Sequence, residues 1–398
     1  MKVHKPILSQ IPIALKSIFE DGYYADKVIE RHFKMSRGKW GSRDRKFFAE
    51  SVYDIVRWYR RINESLPKPH QNDFSAITEA YLGLKEIDYP SIESFVGVNA
   101  QFFKEAYDSS NDFGVVASYP DWIIERVYKE CGKEKGEHIL NAMNTQAPLY
   151  LRVNPLKGTC EQVMQSLKSE GIDAQIVQTS DSALIIQNRK NVFVTQAFKS
   201  GMFEVQDLGS QAIAPFLQPS PKQRVLDLCA GAGGKTLHLA QLMENKGKIV
   251  ATDIHERKLT ELKRRARRNQ VDLIETRLAE NKWFKRQKGK MDRILLDVPC
   301  SGLGVIKRNP DTKWKLQEDR ISELIDIQRG ILKQAAPMIK PEGKLVYSTC
   351  SILPSENQEQ VKWFLETHEG WDLEEEVSLL PHENNTDGFY MARLKLVK

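Results

Sequence analysis

Two cysteines stand where a reactive thiol would be useful. Leu295-Leu296-Asp297-Val298-Pro299-Cys300-Ser301-Gly302 and Leu345-Val346-Tyr347-Ser348-Thr349-Cys350-Ser351 each read as a strand that ends at a thiol. In open α/β sheets, ligands sit beyond the carboxyl ends of the strands. If these strands are the fourth and fifth, they are neighbours in the common order, and both thiols reach one crevice. Taken alone, either cysteine is more often a small buried hydrophobe. Two at strand ends, one behind Asp-Val-Pro, is a much less accidental arrangement. The chemistry that uses such a pair is addition to a pyrimidine. Carbon 5 of a pyrimidine is a poor nucleophile, and a thiolate added to carbon 6 makes it enamine-like and able to attack a methyl sulfonium. A carboxyl group at N3 stabilises the charge shift. The adduct must then lose its carbon 5 proton and expel the first thiol, and a second reactive group helps that release.

A glycine turn supplies the other half of the site. Arg224–Cys229 reads as a strand, and Ala230-Gly231-Ala232-Gly233-Gly234-Lys235-Thr236 follows it. Glycines let the backbone turn sharply and leave room for a ligand over a helix N-terminus. The P-loop pattern fails, because Cys229 occupies the place of its first glycine. The G-x-G-x-x-G form fails too, because Lys235-Thr236 occupies its end. A phosphate grip is therefore disfavoured. The next strand ends in Asp253, and an acid there suits a ribose hydroxyl pair. Glycine turn plus acid means a nucleoside-bearing cofactor, for which NAD and S-adenosylmethionine both qualify.

The elements that must position these groups alternate. Strands are expected at Arg224–Cys229, Lys248–Asp253, Ile274–Leu278, Arg293–Asp297 and Lys344–Thr349, with helices over Lys235–Met243, Arg257–Gln270 and Ser322–Met338. Alternation of this kind gives a parallel, doubly wound sheet. Before it, the strand-like runs Leu149–Val153, Ala174–Val177 and Ala183–Gln187, with a helix over Cys160–Glu170, suggest a small α+β part. Helices are also expected over Trp122–Cys131 and Glu134–Met143. The first 115 or so residues read as a helical bundle, with apolar helical spacing around Ile13–Ile18, Phe47–Tyr59, Ala76–Leu84 and Ile92–Ala106.

Composition narrows the class. The 398 residues suit two to four domains, and 41% hydrophobic with 28% charged excludes wholesale disorder. Five cysteines without a CxxC spacing exclude a disulfide scaffold and argue against structural zinc; no metal is expected. No signal-peptide pattern and no membrane-length apolar run is seen, so a cytoplasmic protein without membrane attachment is expected. The net charge of +6 conceals local clusters. Arg257, Lys258, Lys263, Arg264, Arg265, Arg267 and Arg268 share one helix. A second cluster runs from Lys282 to Arg293, and a third includes Arg37, Lys39, Arg43, Arg45 and Lys46. Glu366 to Asp387 is acidic instead. One basic helix is as often a solvated face; three clusters shift the balance toward a nucleic-acid backbone.

Together the words Val205-Gln206-Asp207, Leu228 to Thr236, Asp297 to Gly302, Ser348 to Ser351 and Pro354-Ser355-Glu356-Asn357 resemble the RsmB/Sun family of RNA 5-methylcytosine methyltransferases. Arg308-Asn309-Pro310-Asp311, Trp314 and Asp387-Gly388-Phe389-Tyr390 agree with it in order and spacing. The resemblance implies an α/β, Rossmann-like S-adenosylmethionine-dependent methyltransferase sheet over 206–398. It also implies an all-α NusB-like RNA-binding domain over 1–118, on Gly41-Ser42-Arg43-Asp44-Arg45 and Val52-Tyr53. A small ferredoxin-like or RRM-like α+β domain over 119–205 is implied by Leu151-Arg152-Val153-Asn154. Carried over by residue, Cys350 is the nucleophile and Cys300 assists release. Asp297 contacts the cytosine or the cofactor's charged end. Cys229, Ala230, Gly231, Ala232, Gly233, Gly234 and Lys235 wrap the methionine part of the cofactor, with Asp253 on the ribose. Lys235 also approaches the target base, and either Glu280 or a backbone group stands in for the family's adenine-contacting Asp. The usual Ala-Ala-Pro-Gly-Gly-Lys is here Ala230-Gly231-Ala232-Gly233-Gly234-Lys235, which loses proline stiffness and keeps the backbone donors. A monomer acting on ribosomal RNA is expected. The competing readings are a non-catalytic RNA-binding factor on the same fold and a nicotinamide oxidoreductase. The second of these leaves both strand-end cysteines without a role.

Overall fold

A computed structural model describes residues 4–188 and 190–397. The chain forms two compact units: residues up to Thr145 with Ile306–Glu318, and Gln146–Val305 with Asp319 onward.

In the first unit, apolar residues three and four apart build the helices. Ile11, Leu15 and Ile18 of helix Gln10–Phe19 meet Phe48, Val52 and Ile55 of helix Ser42–Arg57, all buried, with Ile77 of helix Phe74–Leu84 closing the core. One expected helix is shorter than its apolar pattern suggests. It spans Ala100–Ser109 and not Ile92–Ala106. Asn99 caps it by accepting from the Phe102 amide at 3.0 Å, while the Glu79 carboxylate takes the Gly97 amide. Helices Asp121–Cys131 and Lys133–Met143 also belong to this unit.

Residues 306–318 return to the bundle after the strand that ends at Asp297. Their anchor is Lys313, which is fully buried. Its three N–H donors reach Arg57 O at 3.1 Å, Ser118 O at 3.0 Å and Asn144 Oδ1 at 2.6 Å. Burial pushes its ammonium well below the usual lysine range. Trp314 Nε1 donates to Val56 O at 2.7 Å, and Asp311 accepts from the Ala25 amide. The Arg-Asn-Pro-Asp and Trp words therefore fix this segment in the helical unit.

The second unit holds two sheets. The smaller contains β1 (Tyr150–Val153), β2 (Ala174–Ile176), β3 (Ala183–Ile186) and β4 (Phe203–Val205), antiparallel in the order β2-β3-β1-β4. The larger contains β5 (Arg224–Asp227), β6 (Lys248–Asp253), β7 (Ile274–Leu278), β8 (Met291–Asp297), β9 (Ile339–Thr349), β10 (Trp371–Leu379) and β11 (Phe389–Leu396). Its order is β10-β11-β9-β8-β5-β6-β7. Strands β5 to β9 are parallel, as expected from the alternation. The sheet is not parallel throughout: β11 runs antiparallel to both β9 and β10. The acidic stretch hides β10, because Glu374, Glu375 and Glu376 lie on an exposed edge strand. There Lys344 and Arg393 pair with Glu374, and Arg393 also pairs with Glu375.

Helices cover both faces of the larger sheet. Leu332, Ala335, Val361 and Phe364 pack on one face, and Ala214, Leu237, Leu239, Leu262 and Ala266 on the other. Buried polar groups join the smaller sheet to this core. Arg152, fully buried in β1, donates to Gly234 O at 2.8 Å and Gln241 Oε1 at 3.2 Å. Glu204 in β4 accepts from Arg265 at 3.0 Å, Asn269 at 2.6 Å and Arg268. Burial opposes the Glu204 charge, but the guanidiniums outweigh it and hold the carboxyl below its ordinary range. Among the described residues, no helix is long and apolar enough to cross a membrane.

Candidate active site

Adjacency of β8 and β9 brings the two thiols together. The register pairs Asp297 with Ser348, so the chain leaves both strands at the same level and reaches Cys300 and Cys350. Their sulfurs lie 3.2 Å apart without a disulfide, and the Cys350 amide donates to Cys300 Sγ at 3.3 Å. The hydrogen bond with Cys350, then burial, pushes the Cys300 thiol well above the usual range.

A buried carboxylate spans the two cysteine loops. Glu356, fully buried, accepts from the Ser301 amide at 2.8 Å, Ser301 Oγ at 2.5 Å, Gln328 Nε2 at 3.1 Å and Ser351 Oγ. Each serine follows a cysteine directly, so one side chain sets the separation of the loops. Asn357 completes the clamp: its Oδ1 accepts from Thr349 Oγ1 at 2.5 Å and its Nδ2 donates to Ser351 O at 3.1 Å. Removing Glu356 leaves several buried donors without their acceptor, at a cost of about 3 kcal/mol. A Glu356→Ala protein should melt several degrees lower. Its kcat should fall about 100-fold, the scale of a 1 Å misplacement of reacting groups, with cofactor affinity changed less than threefold. Glu356→Gln should lie between it and wild type. Thermal melts, steady-state kinetics and calorimetry check this; a wild-type kcat for Glu356→Ala would contradict it.

At the end of β8, Asp297 is two-thirds covered and pairs with Lys235 Nζ at 2.7 Å, while Ser348 Oγ donates to its other oxygen at 3.4 Å. Burial works against the Lys235 charge, but Asp297 outweighs it and raises the ammonium above its ordinary value. Lys235 lies in the first turn of helix Gly234–Leu242. The turn before that helix explains its glycines. Gly233 has φ +87°, and a Cβ there would lie 2.5 Å from Leu262 Cγ. Gly231, at φ +55°, faces open space and donates its amide to Asp253 Oδ2 at 3.0 Å. Asp253 also accepts from the His255 amide at 2.8 Å, so the acid at the end of β6 braces the turn. Cys229 and Ala230 lie under it. Burial pushes the Cys229 thiol up, which leaves it inert as a nucleophile. Ala232 and Gly234 offer carbonyls to Arg265 and Arg152 respectively. Glu280 is exposed, two residues beyond the end of β7 on the strand beside β6.

Sequence reasoning singled out neither Glu356 by itself nor Asp227. Asp227 ends β5, is fully buried, and accepts from Thr236 Oγ1 at 2.6 Å; its Oδ1 has no partner among the described atoms. Burial raises its carboxyl to about 7. A folded value above the unfolded value of about 3.9 favours the protonated native state. The stability this gives is complete below pH ~4 and is lost as pH rises through ~7. Over that window, the melting temperature of ligand-free wild type should fall relative to Asp227→Asn; a pH-independent difference between the two would contradict the assignment. Among the described residues, no His, Cys, Asp and Glu cluster could hold a metal ion.

Comparison with known proteins agrees with this geometry. The family described as 16S rRNA methyltransferase RsmB/F matches residues 214–395, and the RsmF/B-like ferredoxin-like domain matches 119–193. The probable ribosomal RNA small subunit methyltransferase B of Synechocystis sp. is 36% identical, over 96% of this chain and 98% of its own. The crystal structure of PH0851 superposes with a TM-score of 0.82 at 27% identity, covering 98% of each chain. A methyltransferase homologue from Pyrococcus horikoshii gives 0.63 at 27%, over 71% of this chain and 97% of its own. Since the Synechocystis relative matches from one end of the chain to the other and the catalytic profile spans both thiols, the chain belongs to the RsmB/F family of 16S rRNA methyltransferases.

Proposed function

We propose that this enzyme methylates carbon 5 of a cytosine in ribosomal RNA with S-adenosylmethionine, through a covalent adduct on Cys350. One observation carries the reading: two thiols 3.2 Å apart at the ends of adjacent parallel strands, next to a Lys235–Asp297 pair. The residues fit the cofactor. Gly231 leaves open space over the turn, Asp227 Oδ1 is buried without a partner among the described atoms at the end of β5, and Asp253, at the end of β6, would meet the ribose. When bound, S-adenosylmethionine supplies an electrophilic methyl group. Cys229 to Lys235 would hold its methionine part, and Glu280 would meet its adenine.

The chain's own groups divide the remaining work. Cys350 adds to carbon 6 and makes carbon 5 nucleophilic. Asp297, fixed by Lys235 and Ser348, orients the cytosine or the cofactor's charged end. After transfer, the carbon 5 proton must leave and the carbon 6–sulfur bond must break, which Cys300 assists. The target base must be single-stranded or flipped to reach the crevice. The helical residues 1–118 serve RNA binding, residues 119–205 form the accessory domain, and 206–398 carry catalysis. The proposed chemistry needs reduced thiols, which suits a cytoplasmic protein.

The test is incubation with small-subunit ribosomal RNA and methyl-labelled cofactor, followed by nucleoside analysis. Label in 5-methylcytidine is the expected result. Label in another nucleoside, or none in any RNA, would overturn the reading.

A further inference from the structure

The larger basic helix borders a groove that the chemistry above does not use. Phe193, Phe198, Lys199, Ala232, Arg264 and Arg268 line a space of about 740 Å³, together with two carboxylates and Arg265. The aromatic rings there are unusual for a surface. Phe193 is 54% exposed and its neighbour Val194 58%. The Phe193 ring meets Phe198 edge-on at 5.0 Å, and Arg268 lies over the other ring at 3.7 Å. The exposed ring is held, because Asn191 Oδ1 accepts the Phe193 amide at 3.0 Å and Thr195 caps the next turn.

Charge in the groove divides into two sets. Glu204 engages Arg265 and Arg268, so these hold the wall together. Lys199 and Arg264 are exposed and stay available to solvent, Arg264 through a surface contact with Glu261 that water screens. Exposed Arg257, Lys263 and Arg267 extend the positive field along the same helix. The groove also reaches Ala232, whose carbonyl accepts from Arg265 at 2.8 Å, so it opens against the outside of the cofactor turn. An exposed aromatic face combined with excess cationic side chains matches single-stranded nucleic acid, which needs a stacking platform and phosphate partners.

We propose that this groove binds a single-stranded stretch of the RNA substrate outside the target nucleotide. One base stacks on Phe193, and Lys199 and Arg264 hold its phosphates. The proposal rests on the reading of the chain as an RNA methyltransferase and deepens it by naming where flanking RNA lies. Neither Phe193 nor Arg264 contacts the catalytic thiols, so their variants keep the chemistry.

The experiment compares wild type, Phe193→Ala, Phe193→Trp and the double variant Lys199→Ala/Arg264→Ala. RNA affinity is measured by fluorescence anisotropy on a labelled single-stranded ribosomal RNA fragment between 50 and 200 mM salt, a range in which phosphate contacts show. Kinetics and cofactor calorimetry run in parallel. Phe193→Ala should weaken RNA binding and raise the RNA KM about 5- to 100-fold, the range for one stacked base. Its kcat and cofactor affinity should stay within twofold, and Phe193→Trp should restore binding. The double variant should flatten the dependence of log affinity on log salt by about 1 to 2. Unchanged RNA affinity in Phe193→Ala would overturn the proposal. So would a defect confined to assembled ribosomal particles, which would make the groove a protein-docking surface. A wild type that binds RNA through Phe193 without methylating it would overturn the proposed function and leave this inference standing.

Discussion

Cys350→Ala forms no 5-methylcytosine: its turnover falls more than about 10⁴-fold, the scale on which loss of a covalent nucleophile acts. Cofactor affinity, measured by calorimetry, stays near wild type, because the glycine turn and Asp253 lie on other strands. The Thr349-Cys350-Ser351 word, which resembles the family's nucleophile motif, assigns the attack to Cys350 and not to Cys300. Cys300 lies 3.2 Å from its partner, and the hydrogen bond between the sulfurs together with burial pushes its thiol up. Residual activity within tenfold of wild type would remove Cys350 from the mechanism.

Cys300→Ala behaves differently. Cys350 still attacks carbon 6, but the step that frees the product loses the neighbouring sulfur 3.2 Å away. Turnover falls about 100-fold or more, in the range expected when a proton-handling group is lost. A protein–RNA adduct resistant to denaturant accumulates, and gel electrophoresis detects it as a slow band that ribonuclease removes. The Cys300→Ala/Cys350→Ala double variant shows no such band. If Cys300→Ala turns over normally and no adduct forms, Cys300 has no part in release.

Much of this is legible in the sequence. β5, β6, β8 and the second half of β9 carry apolar runs separated by helical spacing, so their alternation predicts the parallel core, and their order places Cys300 beside Cys350. The strand ends also locate the glycine turn and Asp253. What the sequence hides has physical causes. β10 carries three consecutive glutamates on an exposed edge, where cross-strand Arg393 and Lys344 supply the partners, so alternation is masked. Residues 306–318 follow a catalytic strand yet pack in the helical unit, because buried Lys313 finds its acceptors 169 to 256 positions away in the chain. Glu356 looks like a surface acid in an exposed-seeming Pro-Ser-Glu-Asn word. Only the fold shows that serines 50 positions apart converge on it. Asp227 reads as one more strand residue until its burial becomes visible. Long-range pairing of this kind carries no local periodicity.

The central claim is the identity of the attacking sulfur, and 5-fluorocytosine tests it most directly. Fluorine at carbon 5 cannot leave as a proton does, so the adduct formed after methyl transfer stays on the enzyme. Wild-type protein is incubated with cofactor and ribosomal RNA containing 5-fluorocytidine, digested, and the modified peptide read by mass spectrometry. The account predicts the nucleotide on the peptide that contains Cys350, with Cys300 unmodified. Attachment to Cys300 would reverse the roles of the two thiols and contradict it.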